Sequence, residues 1–366
     1  MHKPGLFKIT ALTGIGCLLM FLLPACAKLG PATLKGERNH YNIAVQQTND
    51  EQLLLNLIRL KYRDTPFFLE VSSIASQFTL KTNASVSAEL PDTGFNIFTF
   101  GGGATYLERP TVTYSPLQGD KFIKRLLSPV PLKTLSLLYH SGWSIERIFR
   151  LCLQRMDSLK NAPSASGPTP ERVPRFKGFV RVIKLFRALQ TRGAFDMAFD
   201  TSHKIPGLAL QISTEASGWP EVRELSGYLG APPGQTRYLL TNNRIPSEPG
   251  QIRVVTRSLL GIMFYLSQAV EAPDTHKVAG KVTITRYESG EEFDWNLVTG
   301  DLLHVRSQSH VPDTASVAIY YRDHWFYIDD SDLSSKSTFS LLAQIFALQA
   351  GDAKDVSPML TLPIGG

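Results

Sequence analysis

Cysteine is scarce. The 366 residues contain three, Cys17, Cys26 and Cys152, too few for a disulfide framework, so stability has to come from a hydrophobic core. Beyond residue 26 no apolar run reaches the roughly 20 residues a membrane-spanning helix needs. Catalytic signatures are missing as well: there is no GxSxG elbow, no HExxH pair and no phosphate-binding loop. His40, His140, His203, His276, His304, His310 and His324 are scattered without zinc spacing. Of these, His304 and His324 fall on strands that are expected to be neighbours. No internal repeat occurs. Hydrophobic residues make up 43% and charged residues 19%, the balance of a folded globular chain rather than a disordered one.

The N-terminus carries the most specific pattern. Lys3 and Lys8 make a short basic start, and no acidic residue precedes Cys26. An apolar run from Ile9 to Leu23 follows, broken by Thr10, Thr13, Gly14 and Gly16. It is short for a transmembrane helix and fits the core of a secretory signal peptide. The run ends in Leu23-Pro24-Ala25-Cys26. An aliphatic residue, a variable one, a small one and then Cys resembles the lipobox of bacterial lipoproteins. The resemblance implies cleavage between Ala25 and Cys26, acylation of Cys26 as the new amino terminus, and attachment to membrane lipid. Cys17 fits less well, because Gly14 stands at its aliphatic position. Each buried methylene contributes about 0.8 kcal/mol, so two or three acyl chains hold essentially permanently. Ala27 follows the anchor. In lipoproteins of the enteric type Asp there marks inner-membrane retention, so the resemblance implies the outer membrane, facing the periplasm.

Charge is unevenly spread. Lys121 to Arg192 holds 15 Lys/Arg against 3 Asp/Glu, whereas Glu271 to Asp355 holds 7 against 14. Either the two regions face each other, or the basic one meets anionic headgroups or an acidic partner. An exported chain is not expected to meet nucleic acid. Cys152, in the apolar stretch Ile148 to Leu153, reads as a buried, inert thiol.

The pattern predicts an α+β fold: antiparallel strands including a long N-terminal hairpin, a helical middle, and a mixed C-terminal α+β unit. The expected divisions are a signal peptide 1–25, a lipidated tether 26–38, a helix, hairpin and helices over 39–160, a Pro/Ser-rich loop 161–174 and an α+β domain 175–366. Leu53, Leu54, Leu57, Ile58 and Leu60 predict a helix ending near Tyr62, with Asn49 or Asp50 as its cap and Pro66 stopping it. Gln77 to Leu90 alternates strictly, a strand, and Pro91 to Gly94 is a turn. A second strand covers Phe95 to Leu107, with a bulge or close approach at Gly101 to Gly103, and a third covers Thr111 to Tyr114. Asp120 should cap a helix to Leu127, Pro131 should open one to Ser141, and Ser144 should cap one reaching Leu159. A basic helix is expected over 175–192, strands at 194–199, 207–213, 236–241 and 251–255, and helices at 219–228 and 256–270. The C-terminal third should hold strands at 281–286, 302–308, 315–321 and 324–328, with Arg322-Asp323 as a two-residue turn. A helix over 337–350 and a closing strand over 359–363 complete the expected elements.

Three clusters merit functional weighing. On 77–107, Phe78, Leu80, Val86, Phe98 and Phe100 are candidate membrane contacts, because a spanning strand needs about 9–11 residues with one apolar face. A long hairpin lying on a helix layer would give the same pattern. On the basic helix, Lys177, Arg181 and Lys184 share a face that suits headgroups or a partner; the bland alternative is a helix packed inward on Phe179, Ile183 and Phe186. Asp329, Asp330 and Asp332 are a weak metal candidate, lacking the calcium-loop spacing and placed to favour a helix start instead. Stretches 51–71 and 324–351 are similar to those of bacterial envelope lipoproteins without an assigned activity, so that likeness implies no mechanism. The leading expectation is a non-enzymatic, cofactor-free envelope scaffold or assembly component with a protein partner or its own copies. The alternatives are an oligomeric outer-membrane pore built from the 77–107 hairpin and an envelope hydrolase with a dispersed site.

Overall fold

Leu53, Leu54, Leu57, Ile58 and Leu60 recur at helical spacing and are all buried in the structure, a computed structural model that describes residues 29–89, 97–202, 206–242 and 250–351. They lie on α1, which runs Leu29–Lys61 and so begins inside the expected tether. Pro31 is admitted because the first helical turn has no partner for its amide. Asn49 and Asp50 are therefore interior residues rather than caps. The helix stops before Pro66: Arg63 turns left-handed at φ 62°, and the Asp64 amide returns to the Arg59 carbonyl at 2.8 Å.

Two strands follow, β1 (Leu69–Glu89) and β2 (Ile97–Pro116), paired antiparallel along their whole length. The expected third strand is the root of β2. Pro110 does not interrupt it, because both strands of a two-stranded ribbon are edges, where proline is tolerated. No register shift occurs at Gly101 to Gly103, which face Ser85, Ala84 and Asn83 in regular pairing; the one irregularity lies between Val71 and Ser73.

The helical middle comprises α2 (Asp120–Leu127), α3 (Leu132–His140) and α4 (Ile145–Cys152). Asp120 is not a cap but the first residue of α2, paired with Lys124 at 2.6 Å. Ser144 does cap α4, accepting from the Arg147 amide. α4 ends seven residues earlier than its pattern predicts, and the chain continues as β3 (Leu153–Met156) and β4 (Leu159–Lys160). The cause is a long-range clamp. The fully buried Arg257 guanidinium donates to the carbonyls of Arg150, Leu151 and Leu153 at 2.9, 3.1 and 2.8 Å, to the Asn161 carbonyl, and to Ser166 Oγ at 2.8 Å. Asn161 Nδ2 adds bonds to the carbonyls of Arg150 and Leu153. These donors take the carbonyls that another helical turn would use, at the helix end where a cation is favoured. Arg257 also lies over the Tyr265 ring at 4.1 Å.

β3 and β4 join β5 (Phe195–Asp200), β6 (Gly207–Ile212), β7 (Arg237–Thr241) and β8 (Gln251–Thr256) in one sheet, ordered β4-β3-β8-β7-β6-β5 and antiparallel except for β7 with β8. The sheet thus takes strands from both sides of the 161–174 loop. Helix α5 (Lys177–Thr191) packs on α4 and β5, and α6 (Pro220–Leu229) packs on α5. α7 (Leu259–Ser267), capped by Ser258, sits at the centre, with α1, α2 and α4 against it.

The last third holds α8 (Asp274–Val278), α9 (Asn296–Thr299) and a three-stranded antiparallel sheet of β9 (Arg306–Gln308), β10 (Ala315–Tyr321) and β11 (His324–Asp329). Residues 281–286 form no strand; only two isolated bridges at Arg286, to Arg172 and Glu292, fall there. Arg322 and Asp323 both have positive φ, 50° and 64°, which makes the two-residue hairpin turn without glycine. α10 (Leu333–Gly351) starts four residues earlier than expected, because Asp332 caps it by accepting from the Ser335 amide at 3.0 Å. The expected closing strand 359–363 lies outside the described residues. The fold is α+β, with an N-terminal hairpin and a mixed sheet.

Arg257→Ala should lower the unfolding free energy by about 3 kcal/mol or more, since several buried carbonyls lose their donor together. Arg257→Lys should not restore it, because one ammonium cannot reach five acceptors. Urea unfolding followed by tryptophan fluorescence checks both; a loss below about 1 kcal/mol, the worth of one ordinary hydrogen bond, would contradict the clamp.

Candidate functional site: the hairpin and its root

The hairpin is built from residues whose types alternate, so each face has its own chemistry. Pairing places Leu80 opposite Tyr106, Thr82 opposite Ala104, Ala84 opposite Gly102, Val86 opposite Phe100 and Ala88 opposite Phe98. Phe78, opposite Glu108, precedes them. Cross-strand partners share a face, so Phe78, Leu80, Val86, Phe98 and Phe100 occupy positions on one side of the ribbon. The other side runs Gln77–Arg109, Thr79–Leu107, Lys81–Thr105, Asn83–Gly103, Ser85–Gly101, Ser87–Thr99 and Glu89–Ile97. Toward the root, the irregularity at Ser72 inserts one residue. Because of it, Val71 with Tyr114 and Leu69 with Pro116 remain on the face of Ile74 and Val112. Tyr114 and Val112 stand exposed there, at 56% and 38%.

Twenty rungs reach about 65 Å at ~3.3 Å per residue, against about 5–6 residues for an ordinary strand. Neither strand pairs with a third among the described residues.

The root is held firmly. Gln52 and Asn56, one helical turn apart on α1, each grip main chain with both amide atoms. Gln52 takes the Leu69 amide at 2.5 Å and donates to its carbonyl at 2.9 Å. Asn56 does the same with Phe67, at 2.9 and 2.8 Å. Phe68, buried between them, meets Phe346 of α10 and Phe122 of α2 at ring distances of 4.8 and 6.0 Å. Just before the root, Asp64 accepts from Tyr321 Oη at 2.5 Å and pairs with Arg322 at 2.9 Å, tying the end of α1 to the β10–β11 turn. Arg322 in turn lies over Tyr62, whose hydroxyl meets His276 Nδ1 at 2.7 Å. His324 stacks edge-on against His276 at 4.9 Å rather than meeting His304, whose amide bonds Ser335 Oγ. Sequence reasoning missed the contacts of Tyr62 and Asp64, because their partners lie more than two hundred residues away. For the root itself, the paired Gln52 and Asn56 on a leucine-rich helix were the available signal.

The other candidates find different roles. Phe179, Ile183 and Phe186 of the α5 stripe are buried, with Phe176 and Val180 half-buried beside them, so this helix packs inward. Arg181 makes a two-pronged bond to Glu224, Lys184 lies 3.9 Å from Asp301, and Lys177 stands exposed. Asp301 also pairs with the buried Arg150 at 2.6 Å, so the basic and acidic regions meet each other here. Asp329 accepts from the Ser331 amide and hydroxyl, which hold its carboxyl below the usual range, and it also pairs with Arg306. Asp330 pairs with Lys336 at 2.5 Å and Asp332 caps α10. No metal-holding cluster occurs among the described residues. Ala25 and Cys26 lie outside them. Cys152 is buried, and burial pushes its thiol up to about 12.

Clefts open on the body among the described residues. One of about 710 Å³ lies beside the root between α1, β10, β11 and α10, over Leu53, Phe68, Phe339 and Phe346. One of about 420 Å³ includes Lys160, Arg175, Lys177 and Phe176. Another, about 520 Å³, contains Lys61, which donates to Gln268 at 3.3 Å. Burial, helped by the like charge of Lys277, lowers Lys61 from 10.5 to about 8. Its folded pKa lies below its unfolded one, so it costs stability in full below pH 8, and the cost fades as pH rises toward 10.5. The Tm of the wild type minus that of Lys61→Met should therefore increase between about pH 8 and 10. A difference that stays flat across that range in thermal scans would contradict the assignment. Set beside known proteins, the chain matches no family model, no curated protein and no solved structure.

Proposed function

We propose that the chain is a lipid-anchored bacterial envelope protein whose copies pool their hairpins into a β-barrel pore of the outer membrane. The observation that carries this reading is the two-stranded ladder: it is far longer than a soluble hairpin needs, has one apolar face, and is without a third strand among the described residues.

The dimensions support it. Positions 78 to 88 span about 36 Å extended, which at a tilt near 45° projects to about 25 Å, the height of the apolar band of membrane barrels. Phe78 and Tyr106 fall at one end of this band, with Glu108 beside Phe78 on the same face, and Phe98 and Phe100 at the other, where interfacial aromatic girdles belong. The opposite face is rich in Ser, Thr, Asn and Gly, as a wetted lumen requires. Two strands cannot close a barrel. Eight are the usual minimum, or roughly four copies, and about sixteen strands leave an aqueous channel, or roughly eight copies. Setting β2 of one copy beside β1 of the next continues the antiparallel order and closes by rotation. Acylation at Cys26 would keep each copy at the membrane while the ring assembles. The root bonds from Gln52 and Asn56 would hold each hairpin at a fixed angle to its body.

Single cysteines along the hairpin of the membrane-embedded protein test this reading through a hydrophilic maleimide. Positions 83, 85 and 87 should label and positions 84, 86 and 88 should not. Cys152 stays silent, because its thiol is buried and held protonated. Equal labelling of both sets would contradict insertion.

A further inference from the structure

We infer that the pore favours anions, and that Lys81 sets this preference. The inference rests on the barrel reading and adds its selectivity. It comes from where the register puts charge. Alongside the apolar band, the polar face holds Thr79, Lys81, Asn83, Ser85 and Ser87 on β1, with Thr99, Gly101, Gly103, Thr105 and Leu107 on β2. Lys81 is the single ionisable position in that set. Two rungs nearer the root than the Thr79–Leu107 pair, on the same face, Arg109 lies opposite Gln77 and adds a second positive position. At the other end, Glu89, opposite Ile97, is the acidic position on this face beyond the band among the described residues.

Closing the ring turns one lysine per chain into a belt. Two strands ~4.8 Å apart, tilted near 40°, occupy about 12 Å of circumference per copy. Neighbouring Lys81 positions would thus recur about every 12 Å, close to the Debye length of about 10 Å at 0.1 M salt, so their fields overlap across the lumen. On the polar face no acidic position lies between Lys81 and Ser73; past the irregularity, Glu70 opposite Ser115 stands on the same face at the root itself, so the belt is offset only at the mouth. Rings of Lys or Arg are the arrangement that selects anions, including phosphates. The solute class is accordingly small anions bearing carboxylate or phosphate, which on the root side meet the Arg109 and Lys81 belts once past Glu70.

The test is conductance of the full-length protein in a planar bilayer under a potassium chloride gradient. The reversal potential should report chloride permeability several-fold above potassium. Lys81→Glu should bring the ratio below one, and Arg109→Gln should reduce it less. Lys81→Cys, modified by a negatively charged thiol reagent after channels have opened, should give the same inversion without passing through folding. Channels that prefer potassium, or whose ratio ignores both changes at position 81, overturn the selectivity while leaving the barrel standing. Absence of channels overturns the barrel, and the selectivity with it.

Discussion

Each strand of the hairpin has hydrogen-bonding partners on one side only, and most of the structure's functional meaning follows from that. A two-stranded ribbon leaves a row of amides and carbonyls open along each outer edge. In water they can bond to solvent, although an isolated hairpin is only marginally stable there. In hydrocarbon they cannot, and every unsatisfied group costs several kcal/mol. Under the proposed reading, closure with other copies removes both edges and lets the apolar face meet lipid.

The body is organised to present this ribbon. α1 leads into the root, and the turn after it is locked by Asp64 to Tyr321 and Arg322. Gln52 and Asn56 treat the first residues of the hairpin almost as a neighbouring strand, satisfying main-chain groups with side-chain amides. Phe68 ties the same point to α2 and α10. On the far side of α7, Arg257 fixes where α4 gives way to β3 and so brings that strand alongside β8. A displacement of the ribbon would be passed into the core through these contacts rather than absorbed by a loose linker.

Much of this was legible in the residues. Strict alternation over Gln77 to Glu89 fixed the face assignment, and the register places Phe98 and Phe100 on the same face as Phe78 and Val86. The Arg322-Asp323 turn, the Ser144 cap and the inward packing of α5 also followed from local pattern. What escaped depended on distant partners. Nothing near Leu153 says that its carbonyl belongs to Arg257, so α4 read as a longer helix. The apolar alternation at 281–286 had no neighbouring strand to pair with, and the segment stayed irregular. The ribbon's full length was hidden by Pro110 and by the extra residue at Ser72, both of which look like interruptions until the pairing is known.

The central claim is assembly, and native mass tests it most directly. Full-length protein extracted in mild detergent should give, by light scattering with the detergent mass subtracted, a single species of about eight or more copies. A monomer near the mass of one chain, holding across a range of concentrations, would contradict the account and leave the hairpin without closed edges.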